Sequence, residues 1–298
     1  MQSFSRGWAF LQQAWSMAFK DKDLLKPSLY ALVVGMIVSV IGIIPILIVA
    51  FIAGGSEIGN IVMGAFGALL MFVQFVVSYV FSGMTVYLIY GYLTKGDGRM
   101  EEAWAIVRRD FFDILTLAAV STAVGLLKNA AQRNRKGGVT ASLARAATGL
   151  LETLWTEAAY LILPAMIIDN LNLKDGVTRV GRIVKENLLL VGISTIGVRW
   201  VTGLIGFVFG VIGFAIAFAV GGGLAYVSGG NTAVSIVGIA IGALIFFTFV
   251  MVASLFSSYT STAYHTCLYM WARDVEKATA EGSSVPVMAP APLAAVLG

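Results

Sequence analysis

The longest uncharged stretches of this chain constrain its fold more than any other feature. Between residues 28 and 94 the only charged residue is Glu57. A helix that crosses a bilayer needs about 20 mostly apolar residues, so this stretch is long enough for two crossings. Charged residues make up 12% of the chain, against about 25% in a typical soluble domain. The sequence therefore predicts an integral membrane protein in contact with the lipid bilayer. It excludes a soluble enzyme, a nucleic-acid-binding protein and a disordered chain.

The apolar runs are long and unbroken, which predicts an all-α fold, because a membrane β-barrel is built from short strands of alternating polarity. The chain has one cysteine, Cys267, and one histidine, His265. These counts exclude intrachain disulfides and histidine-rich metal sites, and we expect no cofactor. The motifs HExxH, GxSxG and CxxC are missing from the sequence. We therefore expect a protein that is not an enzyme.

Six apolar spans are predicted, and glycine-rich turns or polar segments separate them. The spans lie at about 28–53, 60–93, 111–128, 148–169, 188–220 and 233–271. They belong to a single transmembrane domain of residues 1–272. Residues 273–298 are rich in Ala, Pro and Ser without periodicity, so we expect a disordered cytoplasmic tail there.

The spans are predicted to pair as three hairpins, each preceded by an amphipathic interfacial helix. The three amphipathic segments are residues 2–20, 95–113 and 174–186. In the first of them, large apolar residues recur every three or four positions, as on one face of a helix lying in the headgroup layer. Residues 78–88 also align without gaps on residues 258–268, which favours a repeated hairpin.

Lys and Arg residues cluster in the segments that share a side with the N-terminus. The positive-inside rule then places both termini in the cytoplasm, with the protein in the plasma membrane. The basic residues between 128 and 145 fall on the opposite side. Either this segment projects outward as a basic extension, or the third and fourth spans do not have the bounds given above.

Four charged residues are expected within the spans and match in depth as two pairs of opposite sign. Glu157 and Arg199 both lie about 17–18 Å from the inner ends of their helices, at 1.5 Å per residue. Glu152 and Lys128 match at a second depth, nearer the outer face. Each pair could fix the register of its helices, or the two pairs could belong to a polar pathway.

Hydroxyl-bearing residues form stripes on the second and sixth spans. The sixth span carries Ser254, Ser258, Ser261, Thr262 and His265, and the second carries Gln74, Ser78, Ser82 and Thr85. Such stripes can line a hydrated path for ions or small solutes. They can also let helices pack closely and hydrogen-bond to one another.

Two GxxxG motifs, Gly206 with Gly210 and Gly238 with Gly242, predict close helix packing. The contact could form within the bundle or between protomers. We expect either a homo-oligomer or a complex with another membrane protein.

Two further motifs occur in the chain. The first contains Phe4, Trp8, Leu11 and Trp15. The second contains Ala159, Tyr160, Pro164 and Asp169, and Gly176, Arg179, Ile183, Lys185, Glu186 and Asn187 follow it. Both motifs resemble an uncharacterised prokaryotic family of multi-pass membrane proteins, in which a span with a proline and a terminal acid precedes an amphipathic helix. Arg179 replaces the small residue usual there, and Asp169 replaces Glu. The resemblance implies a fold of about six spans, and because the family has no assigned activity, it assigns no catalytic residues.

These features lead to two alternative expectations for function. The first is an oligomeric channel or porter for a small solute or ion, in which the charged pairs and polar stripes form the path. The second is a membrane-organising or partner-binding protein without a conduit.

Overall fold

The computed structural model describes residues 2–133, 139–186, 188–227, 232–282 and 287–297. Some side chains within these ranges lie outside the description: those at 2–4, 133, 139–141, 143–144, 184, 186, 188–200, 225, 233 and 296–297. The described part of the chain is almost entirely helical and contains no strand.

Ten α-helices follow one another along the described ranges, and a 3₁₀ turn at Lys22–Leu25 precedes the second. The helices are α1 (Gln2–Lys20), α2 (Lys26–Ala53), α3 (Glu57–Lys95), α4 (Met100–Arg109), α5 (Phe111–Arg133), α6 (Val139–Asp169), α7 (Leu173–Glu186), α8 (Leu188–Val227), α9 (Thr232–Ala280) and α10 (Ala291–Leu297).

Six of the described helices are long and apolar enough to cross a membrane, by length and composition. These stretches are Lys22–Ala53, Glu57–Lys95, Phe111–Gln132, Arg145–Asp169, Val201–Leu224 and Val234–Ala280. The predicted all-α class and the number of long apolar helices are therefore confirmed.

Short polar sequences at the helix ends determine where α2 and α3 begin and end. The Ser56 hydroxyl caps α3 by accepting a hydrogen bond from the Gly59 amide at 3.0 Å. At the other end, Gly96 adopts a left-handed φ of 81°, which a glycine tolerates without strain. The Asp21 carboxylate accepts a hydrogen bond from the Gly98 amide at 2.9 Å. This contact joins the start of α2 to the end of α3.

Neighbouring helices pack along one another, and α9 lies at the centre of the bundle. The long contacts are α2 with α3, α5 with both α3 and α6, and α8 with α9. Helix α9 also touches α1, α2, α3, α6 and α10. Helix α1 packs against α8, α9 and α10, so the first and last helices of the chain are in contact.

The buried core occupies one end of the bundle, which we call the buried end. It is formed mainly by 84–89 of α3, 159–167 of α6 and 259–272 of α9, and α1, α4 and α7 pack around it. The other end, which we call the exposed end, consists of 29–52 of α2, 204–227 of α8 and 234–252 of α9. Large apolar side chains there are widely exposed.

The C-terminal segment differs from the predicted disordered tail of residues 273–298. Helix α9 continues to Ala280, and α10 packs against α1 with Leu293 fully buried. The indole Nε1 of Trp271 donates to the Val287 carbonyl at 3.4 Å. A helix as short as α10 is stabilised by tertiary contacts rather than by its own periodicity, which explains why the sequence pattern did not reveal it.

Candidate functional site

A cavity of 110 Å³ lies between α3, α5 and α6 and is large enough for several water molecules. Its polar and aromatic lining includes Ser78, Tyr79, Ser82, Ser121, Glu152, Trp155, Thr156 and Tyr160. Ser78 and Ser82 come from the predicted stripe on the second span. The rest of the wall is apolar and makes up most of its surface, so the cavity is a mainly apolar space with a few convergent polar groups, which makes it the candidate functional site.

The Ser121 hydroxyl organises the wall of the cavity. The indole Nε1 of Trp155 donates to Ser121 Oγ at 2.8 Å, and the Tyr79 hydroxyl lies 2.7 Å from the same oxygen. An indole can only donate, so Ser121 accepts from Trp155, while either hydroxyl can donate in the contact with Tyr79. The three side chains join α3, α5 and α6 at one point. They give the cavity a fixed shape and a hydroxyl-rich surface.

The structure brings Lys128 and Glu152 together. Lys128 Nζ lies 2.5 Å from Glu152 Oε2, and about a third of each side chain is exposed, 32% and 34%. Glu152 also lines the cavity. The pair therefore places a paired carboxylate in the cavity wall, so the site offers a charged group without carrying a net charge.

The structure places Glu157 beside His265, a contact that the sequence analysis did not anticipate. His265 Nε2 lies 3.3 Å from Glu157 Oε2, and the His265 side chain is almost fully buried. The expected partner of Glu157 was Arg199, whose side chain lies outside the described ones, so the pairing of Glu157 with Arg199 stays a prediction. No sequence signal relates α6 to α9 at this level, because their contact depends on tertiary packing.

His265 is held between a backbone carbonyl and a carboxylate. Its Nδ1 is 2.7 Å from the Ser261 carbonyl oxygen, which can only accept, so Nδ1 donates this hydrogen bond. The Glu157 carboxylate lies at the other ring nitrogen, Nε2.

Tyr160 connects this pair to the cavity. Its ring stacks on the His265 ring, with centroids 4.9 Å apart and planes 16° apart. Tyr160 also lines the cavity. One aromatic side chain therefore separates the cavity from the contact between Glu157 and His265.

The other residues of the predicted stripes have different surroundings. Gln74 donates to the Gly35 carbonyl at 2.8 Å and to the Ser39 hydroxyl at 2.6 Å, so it joins α3 to α2. The Thr85 hydroxyl bonds to the carbonyl of Phe81 in its own helix. On α9, Ser254 is exposed, Ser258 and Ser261 are half-buried, and Thr262 is buried. Among the described residues, the cavity lining contains none from α9.

The predicted glycine motifs divide into one that packs and one that does not. A Cβ on Gly242 would lie 2.8 Å from the Ala217 carbonyl oxygen, and one on Gly221 would lie 2.8 Å from the Gly238 carbonyl oxygen. Helices α8 and α9 therefore touch backbone to backbone at this point. Gly206 and Gly210 have open space where a Cβ would be. Contacts between protomers at these two glycines stay a prediction.

Sequence reasoning missed a charged cluster at the end of α6. Asp169 accepts from the Tyr269 hydroxyl at 2.5 Å, and it lies 3.1 Å from Arg179 and 3.3 Å from Arg273. Arg179 also bonds to Glu276 at 3.0 Å. The cluster joins α6, α7 and α9.

No protein-family model matches the chain, and no curated protein matches it. In the described ranges, no group of three or more His, Cys, Asp or Glu side chains could hold a metal ion. The proposed function therefore depends on the chemistry of the cavity and its neighbours.

Proposed function

We propose that the protein is an integral protein of the plasma membrane that moves a small polar solute or ion across the bilayer. The cavity between α3, α5 and α6 is the binding site in this proposal. The observation that carries it is a mainly apolar cavity between the helices whose wall contains several hydroxyl groups and the Glu152 carboxylate. Polar groups are costly within a bilayer, and water-filled or substrate-filled cavities are where they are usually found.

The proposed architecture has three hairpins, each preceded by an interfacial helix, with both termini in the cytoplasm. Support comes from the neighbouring pairs α2–α3, α5–α6 and α8–α9. The intervening helices α1, α4 and α7 each bury one face, as the buried residues Phe10, Val107 and Val180 illustrate. The concentration of Lys and Arg in the segments next to these helices supports the cytoplasmic assignment.

The chemistry of the site favours passage rather than catalysis. The Glu152 carboxylate forms an ion pair with Lys128. The Glu157 carboxylate contacts His265, and the Tyr160 ring lies between His265 and the cavity. Such pairs can respond to an ion that enters the cavity, because an ion near either carboxylate would compete with the partner that the carboxylate already has. We propose no enzyme activity.

The experiment that tests transport compares liposomes containing the protein with empty liposomes. Stopped-flow light scattering measures the entry of water, urea and glycerol, and entrapped dyes measure potassium and protons. The decisive variant is Ser82→Phe, which fills the cavity from α3. The matched control is Ser254→Phe, which adds the same side chain at an exposed position of α9. We expect flux of at least one probe to fall to the empty-liposome rate in Ser82→Phe only.

Two results would contradict the transport proposal. One is flux equal to that of empty liposomes for every probe with the unmodified protein. The other is equal flux in Ser82→Phe and in the unmodified protein, with Ser82→Phe monodisperse by size-exclusion chromatography. Ser78→Phe gives a second obstruction of the same cavity if Ser82→Phe does not fold.

A second candidate function is partner binding, and the open face of α8 favours it. Phe207, Val211 and Phe214 are exposed on this helix, and Gly206 and Gly210 leave room for a close approach. A partner helix could pack there as in other small-residue interfaces, and a second copy of the chain would give a homo-oligomer. Cross-linking in native membranes before and after Gly210→Leu tests this candidate. Unchanged cross-linked species would contradict an interface at Gly210.

A further inference from the structure

A large apolar groove lies between α1, α8 and α9. Its volume is 1130 Å³, ten times that of the polar cavity, and its walls include Trp8, Phe19, Leu204, Val208, Leu255 and Phe256. Stacking fixes one wall, because the Trp15 ring lies 4.5 Å from the Phe256 ring with planes 9° apart. The Trp15 indole also donates to Thr260 Oγ1 at 3.1 Å. Contacts within the fold therefore fix the side of the groove that Trp15 and Phe256 form.

Among the described side chains, the polar residues that line the groove come from one face of α1. They are Gln12, Ser16 and Lys20, spaced four residues apart. Lys20 is the only charged residue among these described lining side chains, and it lies at the end of α1. The groove thus has apolar walls and a polar edge with a cation at its end.

The acidic residues that follow Lys20 in sequence are engaged elsewhere. The carboxylate of Asp21 accepts from the amides of Asp23 and Gly98. Asp23 pairs with Lys26 at 2.6 Å. Lys20 itself is exposed, and none of the ion pairs found among the described side chains involves it. Its ammonium group is available to an anion at the edge of the groove.

If the apolar stretch Val201–Leu224 of α8 crosses the bilayer, the polar edge of the groove lies at the level of lipid headgroups. This stretch is about 34 Å long at 1.5 Å per residue, and the apolar thickness of a bilayer is about 30 Å. Leu204 and Val208 then lie at the boundary between the headgroups and the acyl chains. Trp8, Trp15 and Lys20 are of the residue types that favour the interface.

We propose that the groove binds one anionic phospholipid. The phosphate group contacts Lys20, the Gln12 and Ser16 side chains face the ester region, and an acyl chain lies along Leu204 and Val208 of α8. Charge complementarity selects an anionic headgroup, because Lys20 is the cation of the polar edge. This site is separate from the polar cavity, and its existence does not depend on whether the protein transports a solute.

Native mass spectrometry of the purified full-length protein tests the headgroup preference. The protein in detergent is mixed with equal amounts of palmitoyl-oleoyl phosphatidylglycerol and palmitoyl-oleoyl phosphatidylcholine. We expect retention of phosphatidylglycerol in preference to phosphatidylcholine. Lys20→Gln should reduce that preference about fivefold, the effect of one interfacial Lys–lipid contact. The matched control Lys22→Gln removes an exposed lysine that does not line the groove, and it should leave the preference unchanged.

A second pair of variants tests the acyl-chain wall. Val208→Trp fills the groove from α8 and should abolish retention of both lipids. Val211→Trp places the same side chain at an exposed α8 position outside the groove lining and should not. Equal retention of the two lipids by the unmodified protein would overturn the proposal. Equal losses of the phosphatidylglycerol preference in Lys20→Gln and Lys22→Gln would also overturn it, as would full retention of both lipids by Val208→Trp. A dimer of the unmodified protein that Val208→Trp dissociates would overturn it as well, because a second copy of the chain would then occupy the groove.

Discussion

The two ends of the bundle use the same kinds of residue in different ways. At the buried end, Tyr259, Tyr264 and Tyr269 are almost completely enclosed, and the cluster around Asp169 ties three helices together. At the exposed end, Phe51 is 94% exposed and Phe214 is 62% exposed. The contact of α8 with α9 there includes a place where two glycine backbones touch.

This difference indicates which part of each helix is suited to lipid. Where an unburied apolar side chain would contact water, the hydrophobic effect favours its burial in a protein core. Where it would contact lipid, burial brings no such gain, and helices associate through small residues and a few polar contacts. Helix α9 contains both regimes, with 259–272 in the buried end and 234–252 in the exposed end. Four substitutions test the contrast, and the expected effect decreases from the first to the last.

The largest effect is expected at the charged cluster of the buried end. Asp169→Ala leaves Tyr269, Arg179 and Arg273 without their shared carboxylate. We expect a loss of about 3 kcal/mol in unfolding free energy, as for other broken buried pairs. Thiol labelling of Cys267, the single cysteine and a buried one, reports unfolding in detergent. The control is Asp97→Ala in an exposed loop, and equal stability of the two variants would contradict a structural role for the cluster.

The next effect is expected where α8 and α9 touch in the exposed end. In Gly242→Leu the new side chain meets the Ala217 carbonyl, so the helices must separate, with an expected loss of about 2 kcal/mol. Gly206→Leu adds the same atoms in open space and removes a helix-weakening glycine. Thermal unfolding of both variants, followed by the same thiol labelling, checks this. Loss of stability in Gly206→Leu alone would reverse the assignment of the packed motif.

A smaller effect is expected for the polar contact between α2 and α3. Gln74→Leu removes the bonds to Gly35 and Ser39 while keeping a similar volume. Interhelical hydrogen bonds in membranes contribute about 0.6 kcal/mol on average, and we expect a loss of this size. Asn60→Leu, at an exposed site on α3, is the control. A loss as large as that of Asp169→Ala would mean that polar contacts hold both ends equally.

The smallest effect is expected on the exposed polar surface next to the buried end. A hydrogen bond from Lys95 lowers the pKa of Glu102, and contacts with Tyr87 and Arg99 lower it further. Because the folded-state pKa is lowered, this stabilisation is complete above pH 4.5 and disappears as the pH falls through the lowered value. Glu102→Gln should flatten that part of the stability curve slightly, and added salt should do the same. A curve unaffected by both changes would show that the contact contributes nothing.

Properties that depend on one helix, or on helices adjacent in sequence, could be read from the chain. The lengths of the apolar runs predicted the six long helices. The contact between Lys128 and Glu152 could be predicted from their distances to the helix ends, because α5 and α6 are consecutive in the chain. The contact between Glu157 and His265 could not be predicted, because it joins α6 to α9. Hydroxyl spacing was also ambiguous, because Thr85 bonds within its own helix whereas Ser82 lines a cavity.

The contact between α1 and α10 restricts how many times the chain can cross a bilayer. These helices contain residues near the two ends of the chain, and they touch. If both helices lie outside the apolar layer, as we propose for the two termini, they share a side of it, and the number of crossings between them is even. In that arrangement no single helix can fail to cross by itself. If α5 did not cross, a second helix would have to stay on the same side with it.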